Sequence, residues 1–199
     1  MEVQALIGRL SLSYTAAGIR RTETVTLAKA YAEQRDWTAV LRSSVDDDLL
    51  MIRQESSRKR VTAELVKRLR NLTPAELAAL AQPQSASFAS ALCWLAICRT
   101  YEFVRGFTIN VIGERWNEGV RTLPPGAYEA YVAEESAMHP ELEGLSDQTK
   151  ARLRSQLFTM MREMGFLDKK QEMHPYLMPE GVSSIIDEED FVLFPTLVR

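Results

Sequence analysis

The chain has 199 residues, with 24 Lys+Arg, 27 Asp+Glu and 2 His, for a formal net charge of −3. An apolar fraction of 46% with charges interleaved through it excludes a disordered chain, and the length allows one large domain or two small ones. The charge is uneven: residues 1–72 carry 13 Lys+Arg against 9 Asp+Glu, whereas residues 73–199 carry 11 against 18, so a basic segment is hidden in an acidic whole.

Glu2, Gln4 and Arg9 interrupt any signal-peptide pattern at the start, which points to the cytoplasm. Thr22 predicts the cap of a helix reaching about Gln34, with Val25, Ala28, Tyr31 and Ala32 as its buried stripe. Asp36 then caps a second helix in which Trp37, Val40, Leu41 and Val45 face inward. Asp46-Asp47-Asp48 interrupts that helix; consecutive helical carboxylates point apart, so capping suits them better than metal binding. Ser56-Ser57 is the next start signal and predicts a basic helix over 57–72.

Thr73-Pro74 pairs a capping residue with Pro at the first helical position, opening a short helix to Ala81. A longer one is expected from about Ser87 to Phe103. Leu77 to Cys98 carries no charge over 22 residues, long enough to span a bilayer, but Gln82-Pro83-Gln84 divides it into two soluble helices. Cys93 and Cys98, five apart in an apolar run, match no redox or zinc spacing and read as buried free thiols in a reducing compartment. Helical periodicity resumes after Gly106 through Val111, Ile112 and Trp116, ending near Gly119.

Pro124-Pro125-Gly126 is the clearest internal boundary and divides the chain into domains at 1–122 and 123–199. A helix around Tyr128 to Met138, a turn at His139-Pro140 and a helix from Ser146 to Met164 follow, with Gly165 suited to the left-handed residue that ends the last. The tail has turns at Pro175, Pro179 and Gly181, a solvated acidic cluster at Asp187 to Asp190, and an apolar Phe191 to Pro195. The fold class is all-α: a compact multi-helix bundle with helix-turn-helix or winged-helix-like parts and at most a small β-hairpin wing near the C-terminus.

Residues 56–70 carry six basic residues and one acidic one. At 100° per residue, Val61, Leu65, Leu69 and Leu72 share one face, while Lys59, Ala63, Lys67 and Arg70 share the opposite one with Arg60 alongside. A start at Ser57 places Arg58, Lys59 and Arg60 in the first turn, where the helix dipole favours carboxylates by about 0.3–1 kcal/mol each. Serine hydroxyls, free backbone N–H groups and three cations at one helix start suit a phosphate.

The candidate nucleic-acid contacts are therefore Ser56, Ser57, Arg58, Lys59, Arg60, Lys67, Arg68 and Arg70, with Arg20 and Arg21 as a flexible arm. A second, weaker set is Thr149, Lys150 and Arg152 on the later helix, with Lys169 and Lys170 in a wing after Gly165. No Asn or Gln stands on the basic face to read bases, so backbone contact to double-stranded DNA is expected. About five phosphates neutralised predicts a log–log salt slope near −4.5. No aromatic stacking platform for single strands is evident near the basic helix. P-loop, GxGxxG and GxSxG motifs are absent, and the two histidines flank prolines. A non-enzymatic protein is expected, with no cofactor, metal, membrane or small-molecule substrate.

Ser56-Ser57-x-x-Arg60, continuing through Glu64 to Arg68-Leu69-x-x-Leu72, resembles the BrxA family of bacterial BREX phage-defence systems. Arg21-x-Glu23, Asp36-Trp37, Leu145-Ser146-x-x-Thr149 and Arg162-Glu163-x-Gly165 fit the same pattern, although Lys is common in that family where Arg152 stands here. The resemblance implies a small all-α protein with a core similar to the antitermination factor NusB. It also implies DNA binding beside the methyltransferase and ATPase components of a defence locus, through Ser57, Arg58, Arg60 and Arg68, with Thr149 and Lys150. Other BREX proteins are then expected partners. Two alternatives to DNA binding are a scaffold whose acidic half and Phe191–Pro195 tail dock other proteins, and RNA binding by analogy with NusB.

Overall fold

Capping chemistry and a few buried polar contacts decide where the helices lie. A computed structural model describes residues 10–198 of the chain; Glu2, Gln4 and Arg9, which interrupt a signal-peptide pattern, lie outside the described residues. Helix α1 spans Arg21–Gln34, α2 Trp37–Asp46, α3 Glu55–Leu69, α4 Pro74–Ala81 and α5 Ala86–Thr100. Glu102–Gly106 (α6), a π-helical stretch over Phe107–Gly113 and Glu114–Asn117 (α7) follow one another in continuous helical backbone. Pro125–Glu135 is α8 and Asp147–Met164 is α9. Among the described residues the only β pairings are isolated bridges, at Thr122–Glu172, Leu167–Met173 and Tyr176–Leu197. The fold is all-α, as the sequence predicts.

The Asp36 carboxylate accepts from the Thr38 N–H, Thr73 and Glu76 form a reciprocal capping box, and Ser146 accepts from the Thr149 N–H. Gly165 ends α9 at φ 80°, in the left-handed region. Three expectations shift. Thr22 caps nothing; Arg20, itself left-handed at φ 47°, precedes α1. The buried side of α1 is Thr24, Leu27, Ala28 and Ala30, so Val25, Tyr31 and Ala32 are only half-buried. A threonine reads as surface in a sequence, but the Thr24 hydroxyl donates to the Arg20 carbonyl at 2.7 Å, which removes the penalty of burying it. Helix α3 begins at Glu55 and ends at Leu69, not over 57–72, because the Gln54 carbonyl already accepts from the Arg58 N–H.

The described residues divide into two compact units. Residues 16–100 and 177–190 form one, and residues 10–15, 101–176 and 191–198 the other. The boundary expected after residue 122 falls inside the second.

In the α1–α5 unit, every residue of Phe88–Cys98 except Ser90 is buried, which explains why α5 is apolar all round. Leu27 of α1, Val61, Leu65 and Leu69 of α3 and Leu80 of α4 are buried with it, each large side chain contributing about 1.5–3 kcal/mol. The stretch 177–190 joins this core through buried Val182 and Ile186. The uncharged run 77–98 is divided between α4 and α5, and among the described residues no helix is long and apolar enough to cross a membrane.

The second unit is built on aromatic side chains. Phe103 and Phe107 lie 5.1 and 5.4 Å from the Tyr131 ring, and Tyr14, fully buried, donates to the Leu153 carbonyl at 3.3 Å. The apolar tail is core as well: Leu193, Phe194 and Pro195 are buried, and Phe194 stacks on Tyr176 at 5.6 Å. Only Val192 and Val198 of that tail are exposed.

Candidate nucleic-acid interface

Helix α3 is amphipathic in the manner its sequence predicts. Val61, Thr62, Leu65, Val66 and Leu69 are buried, whereas Ser56, Lys59, Arg60, Ala63 and Arg70 are exposed and Lys67 is half-exposed. The exposed residues recur at three- and four-residue intervals, so they line one side of the helix. The small Ala63 leaves the backbone approachable at its middle.

The charge balance of this face differs from that expected. Because α3 starts at Glu55, its first turn holds a carboxylate, and the cations begin only at Arg58. Lys59 Nζ lies 2.5 Å from Glu55 Oε1, and this lysine holds the Glu55 carboxyl below its usual pKa. Arg58 turns back instead, its guanidinium 2.8 Å from Asp48 Oδ1 and donating to the Ile52 carbonyl at 3.2 Å. The unfavourable first turn inferred from sequence is therefore not present. The Ser57 hydroxyl is also engaged, donating to Gln54 Oε1 at 3.2 Å, while Ser56 is exposed.

Arg68 is the clearest correction. It is 1% exposed, and its guanidinium donates to the Gly18 carbonyl at 2.6 Å and to the Ala17 carbonyl. Arg68 anchors the backbone that leads to Arg20 and Arg21 and is no surface contact. Of that pair, Arg20 is ion-paired with Glu23 at 2.6 Å and Arg21 donates to the Ser90 hydroxyl at 3.4 Å; both remain exposed. Arg60 and Arg70 make no ion pair with any described residue, whereas Lys67 is ion-paired with Glu64 at 3.9 Å. The solvent-side cationic face is thus Lys59, Arg60, Lys67 and Arg70, of which Lys59 and Lys67 are ion-paired within the helix. Arg53, exposed in the loop entering α3, escaped the sequence analysis because that loop has no periodicity to orient it.

Eight residues, 47–54, connect α2 to α3, longer than the three or four of a tight helix-turn-helix. Asp48 shapes this connection, adopting φ 48° and accepting from the Ile52 N–H at 2.9 Å.

The second candidate set belongs to the other unit. Thr149 shares a hydroxyl hydrogen bond with Ser146 at 2.9 Å, and Arg152 is exposed. Lys150 borders a cavity of about 590 Å³ together with Glu129, Glu143, Asp147 and Arg154. Three carboxylates against two cations make that cavity unsuited to phosphate. Lys169 and Lys170 are exposed at the tip of a turn closed by the Leu167–Met173 bridge, where the Asp168 carboxylate accepts from the Lys170 and Glu172 N–H groups. Those hydrogen bonds, the Glu172 one foremost, hold the Asp168 carboxyl below its usual pKa.

Sequence reasoning missed an aromatic pair. Tyr31, in the last turn of α1, and Trp37, the first residue of α2, stack at 3.9 Å between centroids with planes 13° apart. Both border a concavity of about 320 Å³ that also includes Arg35 and Arg70. The signal was an aromatic on each side of a two-residue interhelix connection, at Tyr31 and Trp37. By periodicity both read as core.

No curated protein matches the sequence. Among solved structures, the crystal structure of an uncharacterized protein from Magnetospirillum magneticum matches with a TM-score of 0.79 at 16% identity, over 95% of this chain and 98% of that one. At that identity the likeness establishes the fold alone. The family model for BrxA matches residues 9–190, nearly the whole length, and the chain belongs to the BrxA family, which associates it with BREX defence systems.

Proposed function

We propose that this protein is a non-enzymatic, double-stranded DNA-binding accessory component of a BREX system, contacting mainly the phosphate backbone through α3. The observation that carries the proposal is the exposed face of Lys59, Arg60, Lys67 and Arg70, in which Arg60 and Arg70 have no carboxylate partner among the described residues. The chain as a whole has net charge −3, so a solvated helix in it needs no concentration of cations on one side. Exposed Ala63 supports a close approach of the backbone to the duplex. Asn and Gln are absent from this face, which favours contacts that position the protein over contacts that read bases.

With Arg58 committed to Asp48, Lys59 paired with Glu55 and Arg68 buried, about three phosphates are neutralised, for a log–log salt slope of roughly −2.7. The test is fluorescence anisotropy of a ~20-base-pair duplex across a salt series, comparing wild type with Arg60→Glu/Lys67→Glu. Both substituted side chains are on the solvent side, so helical circular dichroism should be unchanged. Steep salt dependence that collapses in the double variant is the expected result. Flat dependence, or wild-type affinity in the variant, sinks the proposal.

A further inference from the structure

The concavity beside Tyr31 and Trp37 lies wholly within the α1–α5 unit. Its floor and walls are apolar, with Leu72 and Pro74 among them, and its only charged lining residues are Arg35 and Arg70. Both arginines are exposed, and neither makes an ion pair with a described residue. No carboxylate lines it, unlike the larger cavity bordered by Glu129 and Asp147. About 320 Å³ is at the lower end of the range for small-molecule sites, roughly 300–1,000 Å³, which suits one nucleotide and not a duplex.

Arg35 is placed there at some cost. It holds φ 54° and ψ 20°, a left-handed conformation that favours glycine, with its N–H donating to the Tyr31 carbonyl at 2.8 Å. A glycine at this position closes α1 without strain, so the arginine side chain is the feature the fold does not require. Arg70 has a double placement: it caps the C-terminal end of α3, belongs to the cationic face of that helix, and also borders the concavity. A strand following the α3 face is thereby led to an aromatic surface.

We propose that this concavity binds an unpaired nucleotide of a nucleic-acid strand, its base stacked on the Tyr31–Trp37 pair and its phosphate held by Arg35 and Arg70. A paired base is already stacked within the duplex and cannot enter, so the occupant comes from a single-stranded end, gap or extruded base. Stacking on an aromatic side chain tolerates any base, and the absence of amide side chains at the site agrees with low sequence preference. This inference rests on the α3 proposal, since it extends the same nucleic acid beyond that helix.

The test compares a blunt ~20-base-pair duplex with the same duplex carrying a five-nucleotide overhang, dT in one version and rU in another. The proteins are wild type, Arg35→Gly and Trp37→Phe. Arg35→Gly removes the cation while relieving the backbone, so loss of fold does not confuse the result. Wild type should bind the overhang duplex about tenfold more tightly than the blunt one, the scale of one base stacked on an aromatic ring. The advantage should fall below about threefold in Arg35→Gly, with blunt-duplex affinity retained, and quenching of tryptophan fluorescence by the overhang should disappear in Trp37→Phe. The dT and rU arms show which sugar the site accepts.

Equal affinity for blunt and overhang duplexes in wild type overturns this inference and leaves the α3 proposal standing. No duplex binding at low salt overturns both. Reversal of the quench by an acidic, tyrosine-rich peptide but not by free oligo-dT assigns the concavity to a protein partner and also overturns it.

Discussion

Asp190 Oδ2 lies 2.5 Å from Arg99 Nη2, joining the end of the 177–190 segment to α5. The same guanidinium grips Glu76 with both terminal nitrogens, at 2.7 and 2.9 Å. Glu76 is fully buried and at once closes the capping box that starts α4. Burial alone works against a charged guanidinium, but its hydrogen bonds to both carboxylates outweigh it and push the Arg99 pKa up. The acidic cluster at 187–190, which by composition reads as solvated surface, therefore contains one structural carboxylate.

The two partners of Arg99 should not be equivalent. Arg99→Ala leaves Glu76 as an uncompensated buried carboxylate and is expected to cost about 3–5 kcal/mol. Asp190→Asn leaves the Arg99–Glu76 fork intact and should cost only about 1.5 kcal/mol, the value of one charge-assisted hydrogen bond. Urea unfolding of both variants measures the difference, and limited proteolysis should show the 177–190 segment cut faster in Asp190→Asn. Equal destabilisation would contradict the division of roles.

Arg68→Lys tests whether the guanidinium is structural. Lysine keeps the charge but lacks the fork that reaches the Ala17 and Gly18 carbonyls together, so stability should fall by about 2 kcal/mol. Duplex affinity of the still-folded variant should stay within about twofold of wild type. A large loss of affinity with no change in melting temperature would return Arg68 to the binding face.

What the sequence made legible, and what it hid, follows from the range of the forces involved. Local chemistry was readable: the Asp36 cap, the Thr73-Pro74 restart, Gly165 and the division of 77–98 into two helices depend on residues within one turn of each other. The face of α3 was readable too, because periodicity alone separates Leu65 from Ala63. Partners distant in sequence were not. Arg68 finds Ala17 and Gly18 some fifty residues away, and Arg99 finds Asp190, |i−j| = 91, so neither pairing leaves a local trace. The start of α3 differs from the expected one by two residues. Ser56 and Ser57 are better caps than Gln54, yet the helix begins at Glu55 with no side-chain cap, and that shift of about half a turn moves Arg58, Lys59 and Arg60 out of the first turn.

Gly106 stands in the middle of a helical run, where glycine costs about 1 kcal/mol relative to alanine. A Cβ there meets the Tyr131 hydroxyl, closer than any real contact, and the Tyr131 ring is held between Phe103 and Phe107. Gly106→Ala should therefore destabilise by about 1–3 kcal/mol in spite of its better helix propensity. Adding Tyr131→Phe removes the obstructing oxygen and should recover most of the loss. Thermal melts of the single and double variants decide it, and a stabilised Gly106→Ala protein would show that the ring moves freely.

Burial pushes the Cys93 thiol up to about 12 and keeps it neutral, although a hydrogen bond with Thr24 pulls the other way. Both cysteines are buried thiols outside any disulfide. Neither should react with a thiol-specific disulfide reagent at pH 8 in the native protein, and both should react at once in denaturant. The raised pKa also sets a sign. Below about pH 8.5, the value of an unfolded thiol, the neutral form costs nothing in either state. As pH rises beyond it, the unfolded chain gains a thiolate that the folded protein does not, so stability falls through pH 9–11. Cys93→Ala should flatten that part of the stability–pH curve.

The pairing of Lys59 with Glu55 and of Arg58 with Asp48 gives the DNA proposal a test in the direction of gain. Both carboxylates are at least 43% exposed and hold cations that would otherwise be available to phosphate. Glu55→Gln frees Lys59 and removes a negative charge from the face, with a small loss of helix-dipole stabilisation. Duplex affinity at ~100 mM salt should rise severalfold, and the log–log salt slope should steepen by up to about 0.9. Asp48→Asn should do less, because Arg58 remains tied to the Ile52 carbonyl and Asp48 also organises the turn before α3. The expected order of affinity is therefore Glu55→Gln above Asp48→Asn above wild type. A solvated helix face with no phosphate partner predicts no change in any of the three, so a flat series measured by anisotropy would remove the basis for assigning DNA to α3.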